Sequence, residues 1–308
     1  MRLVFLGTPE FAVPTLERTV EAGHEVLAVL TQPDRPRGRG QLTSASPVKA
    51  AAERLGLPVF QPERIRRPEA VELLRALGVD AMVVVGYGQI IPQTVIDLAP
   101  LGIINVHASL LPKYRGAAPI QWAIANGETW TGVTTMRIDA GLDTGDILLQ
   151  EGTAIGPDET AVELSPRLAA MGAGLLVRTL GKLTDGSIAP QKQDSALATY
   201  APLLKKQDGQ IDWARAAHAI HNQIRGLQPW PGAYTAFRDQ TLNLWRSCVR
   251  EQESAAAEPG CIIALRPLTV QCGQRALELG EVQLEGRKRM AGTDFVNGQR
   301  VREGEILG

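Results

Sequence analysis

Asn105 and His107 stand one residue apart at the end of an apolar run, Ile103-Ile104, and the chain then breaks into a segment bounded by Pro112 and Gly116. In a strand the side-chain period is two, so the carboxamide and the imidazole project from one face and can converge on one atom. An imidazole accepts or donates a proton near neutral pH, and a carboxamide N–H donates to an oxygen gaining negative charge. Neither suits a strand buried on both faces without a partner, because an unpaired buried polar group costs about 1–3 kcal/mol. The plainer alternative is a core histidine with its hydrogen bonds satisfied.

A second polar cluster weakens that alternative. Asp139-Ala-Gly-Leu-Asp-Thr-Gly-Asp146 follows a strand-like stretch, Thr134 to Ile138. Its three aspartates invite a calcium-loop reading, which needs an acidic or amide third residue, a glycine sixth and a glutamate twelfth. Those positions hold Gly141, Thr144 and Gln150. A single carboxylate on a tight loop, Asp143 or Asp139 reaching towards His107, fits better, with a solvated acidic turn as its alternative.

The runs Asn105-Val-His-Ala-Ser-Leu-Leu-Pro112, Arg115-Gly-Ala-Ala-Pro119 and Gly141-Leu-Asp-Thr-Gly-Asp146 resemble those of the folate-dependent formyltransferases. The likeness begins at Phe5-Leu-Gly-Thr-Pro9, passes through Thr31-Gln-Pro-Asp-Arg-Pro36 and Ser46-Pro-Val-Lys49, and resumes at Gln228-Pro-Trp-Pro231, covering nearly the full chain. It implies formyl transfer from 10-formyltetrahydrofolate to an amine, with no metal, nicotinamide or covalent enzyme intermediate required. Carried over by motif, Asn105 would donate to the oxyanion and His107 would stabilise the same charge or pass a proton to the leaving nitrogen. Asp143 would orient His107 and help remove the amine proton. The pterin would be held by Asp139 and by Gly86, Tyr87, Gly88 and Ile91 of the loop 86–92, and Ser109, Leu110, Leu111 and Pro112 would line the folate site.

The resemblance is strongest to the branch of the family whose acceptor is methionine on initiator tRNA. Members acting on glycinamide ribonucleotide are similar around Asn105, His107 and Asp143 but end near where the first domain here ends, so residues past 205 separate the two. Formyl transfer to an amino sugar nucleotide is another alternative. An RNA-binding protein that keeps the fold without catalysis is a third, and intact Asn105, His107 and Asp143 argue against it. Ser109 taken alone suggests a serine hydrolase, but no Gly-x-Ser-x-Gly elbow surrounds it.

The elements that must position these residues are legible from patterning. Leu3 to Leu6, Glu10 to Ala22 and Glu25 to Leu30 read as strand, helix and strand, with Thr8 capping the helix and Pro9 at its first position. The turn has only Gly7, so the Gly-x-Gly-x-x-Gly cradle for a dinucleotide is missing. Helical stretches at Ala50 to Leu55 and Glu69 to Leu77 alternate with the apolar strand Ala81 to Val85, which predicts a parallel-rich α/β sheet. Ligands bind outside the carboxyl ends of such strands, where strand order reverses. Both the glycine loop at 86–92 and the segment from Asn105 to Pro112 leave such ends. Further helices are expected at Ala118 to Ala125 and at Ala161 to Leu183, the second with Gly172 and Gly174 marking close packing. Thr153 to Ile155 reads as part of another strand.

Arg35, Arg37 and Arg39, spaced by prolines and glycines, form an exposed loop whose forked donors suit phosphates. The resemblance places here a clamp on the acceptor end of the tRNA, with a solvated charged loop as the alternative. The chain of 308 residues is long enough for two domains, and a formal net charge of −1 means that RNA binding must come from local clustering.

The first domain is expected over 1–189, a polar linker over 190–206 and a second domain over 207–308. In the second, a helix over Trp213 to Arg225 precedes short strands at Ala233 to Phe237, Leu242 to Arg250, Gly260 to Ala264, Leu268 to Cys272 and Ala276 to Leu284, a spacing that suggests a small barrel. The expected fold is thus a Rossmann-like α/β formyltransferase domain followed by a smaller barrel, which the resemblance makes OB-like. Such barrels bind RNA elements, and a structural cap is the alternative. From residue 206 onward there are 13 Lys or Arg against 12 Asp or Glu, so its cationic patch is local: Arg287, Lys288 and Arg289, with Arg246, Arg250, Arg300 and Arg302 as possible neighbours. His218 and His221 stand three apart without partner ligands, so packing or surface roles are expected and no metal. Cys248, Cys261 and Cys272 show no close pairing, and Leu3 to Leu6 is too short for a signal peptide or a span. The expectation is a cytoplasmic monomer with reduced thiols and no membrane partner.

Overall fold

The structure is a computed structural model that describes residues 1–37, 42–251 and 257–308. In chain order its elements are β1 (Arg2–Gly7), α1 (Val13–Glu21), β2 (Glu25–Leu30), β3 (Arg35–Arg37), β4 (Leu42–Ser44), α2 (Pro47–Arg54), β5 (Val59–Phe60), α3 (Pro68–Leu77), β6 (Ala81–Val85), α4 (Gln93–Ile96), β7 (Ile103–His107), β8 (Arg115–Gly116), α5 (Pro119–Ala125), β9 (Trp130–Arg137), β10 (Ile147–Ala154), α6 (Ala161–Thr184) and β11 (Tyr200–Ala201). They continue with α7 (Ala217–Gly226), β12 (Ala233–Phe237), β13 (Gln240–Arg250), β14 (Ile262–Leu265), β15 (Leu268–Gln271), β16 (Ala276–Leu284), β17 (Met290–Ala291) and α8 (Gly292–Gln299). The chain divides into two compact units, one of Met1–Gly116, Thr131–Thr153 and Ser165–Tyr200, the other of Ala117–Trp130, Ala154–Leu164 and Ala201–Gly308.

The first unit is built on a seven-stranded sheet of order β10-β9-β7-β6-β1-β2-β5. The strands β5, β2, β1, β6 and β7 run parallel, and β9 lies antiparallel to β7. All five residues of β6 and of β7 are buried, as a parallel sheet covered on both faces demands. One core cluster gathers Phe5, Leu16, Val83, Val106, Leu176 and Leu180, and another gathers Val4, Leu6, Met82, Val84, Tyr87 and Ile103.

Strand order reverses between β1 and β6, and the chain leaving these strands is tied together there. Thr8 Oγ1 donates to the Tyr87 carbonyl at 3.1 Å, and Gln32 Nε2 donates to the same carbonyl at 3.0 Å. Thr8 therefore does not cap the helix after β1. Pro9 occupies the cap position of a 3₁₀ turn, Glu10–Ala12, and makes no side-chain cap bond.

The helix α6 lies against the strand that ends in Asn105 and His107. A Cβ on Gly172 would sit 2.7 Å from Val106 Cγ1, so glycine is what permits that approach. Gly174 has open space around its Cα and plays no such part.

In the second unit an antiparallel sheet runs in the order β12-β13-β16-β15-β14, with β17 added to β16. Isolated bridges then join Leu307 to Phe237 of β12 and Ile306 to Cys261, next to β14. The core packs Phe237 edge-on to Phe295 of α8, with ring centroids 4.9 Å apart. Neither α8 nor β17 is expected from the sequence, and α7 begins at Ala217 rather than Trp213. Trp213 is buried, its indole N–H donating to Thr235 Oγ1 at 3.0 Å. Among the described residues no helix is long and apolar enough to cross a membrane.

Candidate active site

The strand β7 carries Asn105 and His107 to the carboxyl end of the sheet, Asn105 between Val84 of β6 and Met136 of β9, and His107 opposite Thr134. The two residues are only 7% and 6% exposed. Among the described residues the Asn105 carboxamide has no hydrogen-bond partner. Its N–H donors are available.

His107 is hydrogen-bonded at one ring nitrogen and faces a carboxylate with the other. Nε2 lies 2.9 Å from the Tyr114 carbonyl, which can only accept, so Nε2 carries a proton. Nδ1 lies 3.7 Å from Asp143 Oδ2. A neutral ring of this tautomer turns its lone pair towards the carboxylate, and a protonated ring turns an N–H there. Asp143 Oδ2 also accepts the Gly116 N–H at 2.8 Å. Asp139, the other carboxylate weighed for this role, closes its own turn instead: Oδ1 accepts from the Gly141 N–H at 3.0 Å and from Thr144 Oγ1 at 2.7 Å.

The backbone around these partners is unusual. Tyr114 and Asp143 both have positive φ, 60° and 51°. A non-glycine residue in that region costs about 1 kcal/mol or more and needs its surroundings to hold it. The Tyr114 and Arg115 N–H groups donate to Oγ1 and to the carbonyl of Thr199, at 2.8 and 2.9 Å. Gln193 Nε2 donates to the carbonyls of Asp143 and Gly145 at 2.9 and 2.7 Å. The sequence does not single out Tyr114, Gly116, Gln193 or Thr199, because Tyr114 and Gly116 act through backbone atoms and Gln193 and Thr199 sit in a polar stretch without periodicity.

The segment after β7 is braced from within. Ser109 is fully buried and its hydroxyl donates to the Lys113 carbonyl at 2.6 Å. Thr134 Oγ1 donates to the Ser109 carbonyl and accepts the Leu111 N–H, and Gln150 Nε2 donates to the Leu111 carbonyl. Leu111 packs with Met136 and Ile147. Ser109 and Leu111 thus shape the loop, while Leu110 and Pro112 keep half-exposed side chains.

In the loop 86–92, Gly86 and Gly88 are exposed at φ 57° and 82°, flanking a Tyr87 ring sunk in the core. Burial pushes the Tyr87 phenol up to about 12, and its hydroxyl has no partner among the described residues. Ile91 is half-buried. Bare glycine backbone around an anchored ring suits the close approach of a flat ligand such as a pterin.

The cationic residues are spread over separate features. Arg35 is exposed on β3, Arg37 ends that strand, and Arg39 lies outside the described residues. At the root of the hairpin β3–β4, Lys49 Nζ and Gln61 Nε2 both donate to the Asp34 carboxylate, at 2.5 and 2.7 Å, holding it below the usual carboxylate range. In the second unit Arg287 and Lys288 are exposed, whereas the Arg289 guanidinium stacks 3.3 Å over the Trp245 ring. Arg250 is paired with Glu278. His218 and His221 take separate partners, His218 the Arg275 guanidinium and His221 the Ser247 hydroxyl and the Pro157 carbonyl. Among the described residues no group of three or more metal-ligating side chains gathers.

A strand ending in a carboxamide with no partner among the described residues and an imidazole hydrogen-bonded at Nε2, faced by a carboxylate on a glycine turn, suits acyl-type transfer, and comparisons with known proteins narrow the class. A family model described as "Formyl transferase" matches residues 1–180, and one described as "Formyl transferase, C-terminal domain" matches residues 203–300. The class is formyl transfer. Methionyl-tRNA formyltransferase of Solibacter usitatus is 69% identical over 308 residues, covering 100% of this chain and 99% of the relative. The enzyme of the same name from Koribacter versatilis is 57% identical, with 100% and 99% covered. Among solved structures, an N-formyltransferase of Helicobacter canadensis in complex with folinic acid and dTDP-3-aminofucose aligns with a TM-score of 0.67 at 18% identity, covering 90% of this chain and 98% of that one. The chain belongs to the formyltransferase family, in its methionyl-tRNA formyltransferase branch.

Proposed function

We infer that this chain transfers a formyl group from 10-formyltetrahydrofolate to the free amine of methionine on initiator tRNA, giving N-formylmethionyl-tRNA for the start of translation. The observation that carries the reading is the Asn105 carboxamide, without a partner among the described residues, beside a His107 ring already held at Nε2 and facing Asp143. As the amine attacks the formyl carbon, Asn105 donates to the oxygen that gains negative charge. His107, through Nδ1, takes up or returns the proton that must leave the amine and reach the departing nitrogen. Asp143 favours the protonated ring in transit.

Leu110, Pro112, Gly86, Gly88 and Ile91 offer the surface on which the folate would rest, with Ser109, Leu111, Tyr87 and Asp139 fixing the loops behind it. The catalytic domain is assigned to 1–189 and a tRNA-binding domain to 207–308. The reading of the latter as an OB-like barrel is supported by the bridges of Ile306 and Leu307 to opposite ends of its sheet order. Arg35, Arg37, Arg39, Arg287 and Lys288 are assigned to tRNA phosphates, and Arg289 to holding Trp245 as a flat surface for a base. A cytoplasmic monomer fits three free thiols and a catalytic trio drawn from one chain.

The test is formyl transfer by the purified protein, with methionyl initiator tRNA and glycinamide ribonucleotide in separate reactions. Product from the charged tRNA alone is the expected result. Product from the small amine alone would keep the site and overturn the substrate.

A further inference from the structure

The Asp143 carboxylate serves His107 only if a left-handed residue on an exposed turn is kept in place. Gly145 secures one side of that turn: a Cβ there would lie 1.9 Å from the Arg137 carbonyl, so the turn presses on the end of β9. The other side is secured by Gln193, a residue far away in sequence.

The two ends of the Gln193 carboxamide have different tasks. Oε1 accepts from Arg115 Nε and Nη2 at 3.1 and 2.7 Å, and Nε2 donates to the carbonyls of Asp143 and Gly145 at 2.9 and 2.7 Å. The orientation is chemically compelled, because a guanidinium has only donors and a carbonyl only accepts. Arg115 is itself 4% exposed, and the next residue, Gly116, donates its N–H to Asp143 Oδ2 at 2.8 Å. A closed circuit results: Gln193 holds the backbone of Asp143 directly, and through Arg115 it holds the strand whose N–H grips the Asp143 carboxylate.

Resting on the reading of Asp143 given above, we propose that Gln193 is the positioning residue that sets the Asp143 carboxylate against His107. It touches neither reacting group. Its contribution is to geometry, and misplacing a catalytic group by about 1 Å costs up to about a hundredfold in rate.

Glutamate at this position separates the two tasks. Gln193→Glu keeps an acceptor for Arg115 and strengthens that bond by its charge, but it turns a bare oxygen towards the carbonyls of residues 143 and 145. Gln193→Leu removes both bonds at similar size. On the full chain, both variants are expected to lower kcat about tenfold to a hundredfold, with KM for charged tRNA and for the formyl donor little changed and the melting temperature of Gln193→Glu near that of the parent. In the Asp143→Asn background, Gln193→Glu should cost little more, since it acts through the group already removed. Turnover unchanged in Gln193→Glu, a rise in KM with kcat intact, or a full additive loss in the double variant would each overturn the proposal. Should Gln193→Glu unfold, Gln193→Leu in both backgrounds gives the same coupling. Parental turnover in Asp143→Asn alone would instead sink the role of Asp143.

Discussion

Tyr114 and Asp143 share a left-handed backbone and each aims an oxygen at a different nitrogen of His107, the Tyr114 carbonyl at Nε2 and the Asp143 carboxylate at Nδ1. The Nε2 bond sets the ring's tautomer, and the carboxylate lies on the side of its other nitrogen. Each holder is strained, and each is itself pinned, Tyr114 by Thr199 and Asp143 by Gln193.

Replacing Asn105 with Ala should lower turnover by about a hundredfold to a thousandfold, the usual loss for one oxyanion donor. The folate KM should change little, because the donor acts on charge that develops during the reaction. Steady-state formylation of charged tRNA measures both. Near-parental turnover would remove Asn105 from the chemistry.

Two glycines of α6 should respond in opposite directions to the same change. Gly→Ala in a helix interior gains about 1 kcal/mol of propensity. At Gly174 there is space, so Gly174→Ala should stabilise by about that amount. At Gly172 the new methyl meets Val106 Cγ1 at 2.7 Å, and overpacking of about 1–3 kcal/mol outweighs the gain. Urea unfolding should show a higher midpoint for Gly174→Ala and a lower one for Gly172→Ala, with reduced activity in the latter because Val106 lies between Asn105 and His107.

That contrast bears on how much can be read from the chain alone. The convergence of Asn105 and His107 follows from strand periodicity, and the parallel sheet follows from runs such as Ala81 to Val85. Gly172 reads correctly as a packing glycine, but nothing in sequence distinguishes it from Gly174, because the difference is the position of Val106. Thr8 before Pro9 reads as a helix cap, yet the Tyr87 carbonyl claims its hydroxyl, a tertiary bond overriding a local preference. The helix α8 hides in Gly-Thr-Asp-Phe-Val-Asn-Gly-Gln, whose two glycines and asparagine oppose helix, and it forms because Phe295 and Val296 are buried in the core. Gln193 and Thr199 are illegible for a different reason: their partners, backbone atoms and for Gln193 also the Arg115 guanidinium, lie tens of residues away.

Stability should fall on mild acidification, and His221 should account for part of it. Burial first, opposed by the Pro157 carbonyl and reinforced by the Arg225 charge, lowers its protonation in the folded protein. The unfolded chain then binds that proton first, so stability is full above about pH 6.5 and is lost as pH drops below it towards the folded value. His24, lowered by burial and by the N-terminal ammonium, contributes with the same sign. Urea unfolding at about pH 7.5 and about pH 5.5 should give a smaller difference for His221→Gln than for the parent. An unchanged difference would assign the slope to other groups.

Replacing Arg37 and Arg39 together with Ala should raise the KM for charged tRNA and flatten its salt dependence, by about 0.7–0.9 in logarithmic slope for each phosphate that is no longer neutralised. The comparison is KM across a series of salt concentrations for parent and variant. A parental slope would mean that these two arginines do not meet phosphate.

The bridges made by Ile306 and Leu307 bear on how this protein behaves among copies of itself. The strands β12 and β14 stand at the two ends of the second unit's sheet order, and an end strand with open N–H and C=O groups is a template for another chain's backbone. Here the Leu307 N–H is donated to the Gly260 carbonyl and the Gly308 N–H to the Ala236 carbonyl, so one short segment occupies both templates. That segment leaves fewer open backbone groups on each end strand for another chain's backbone to pair with.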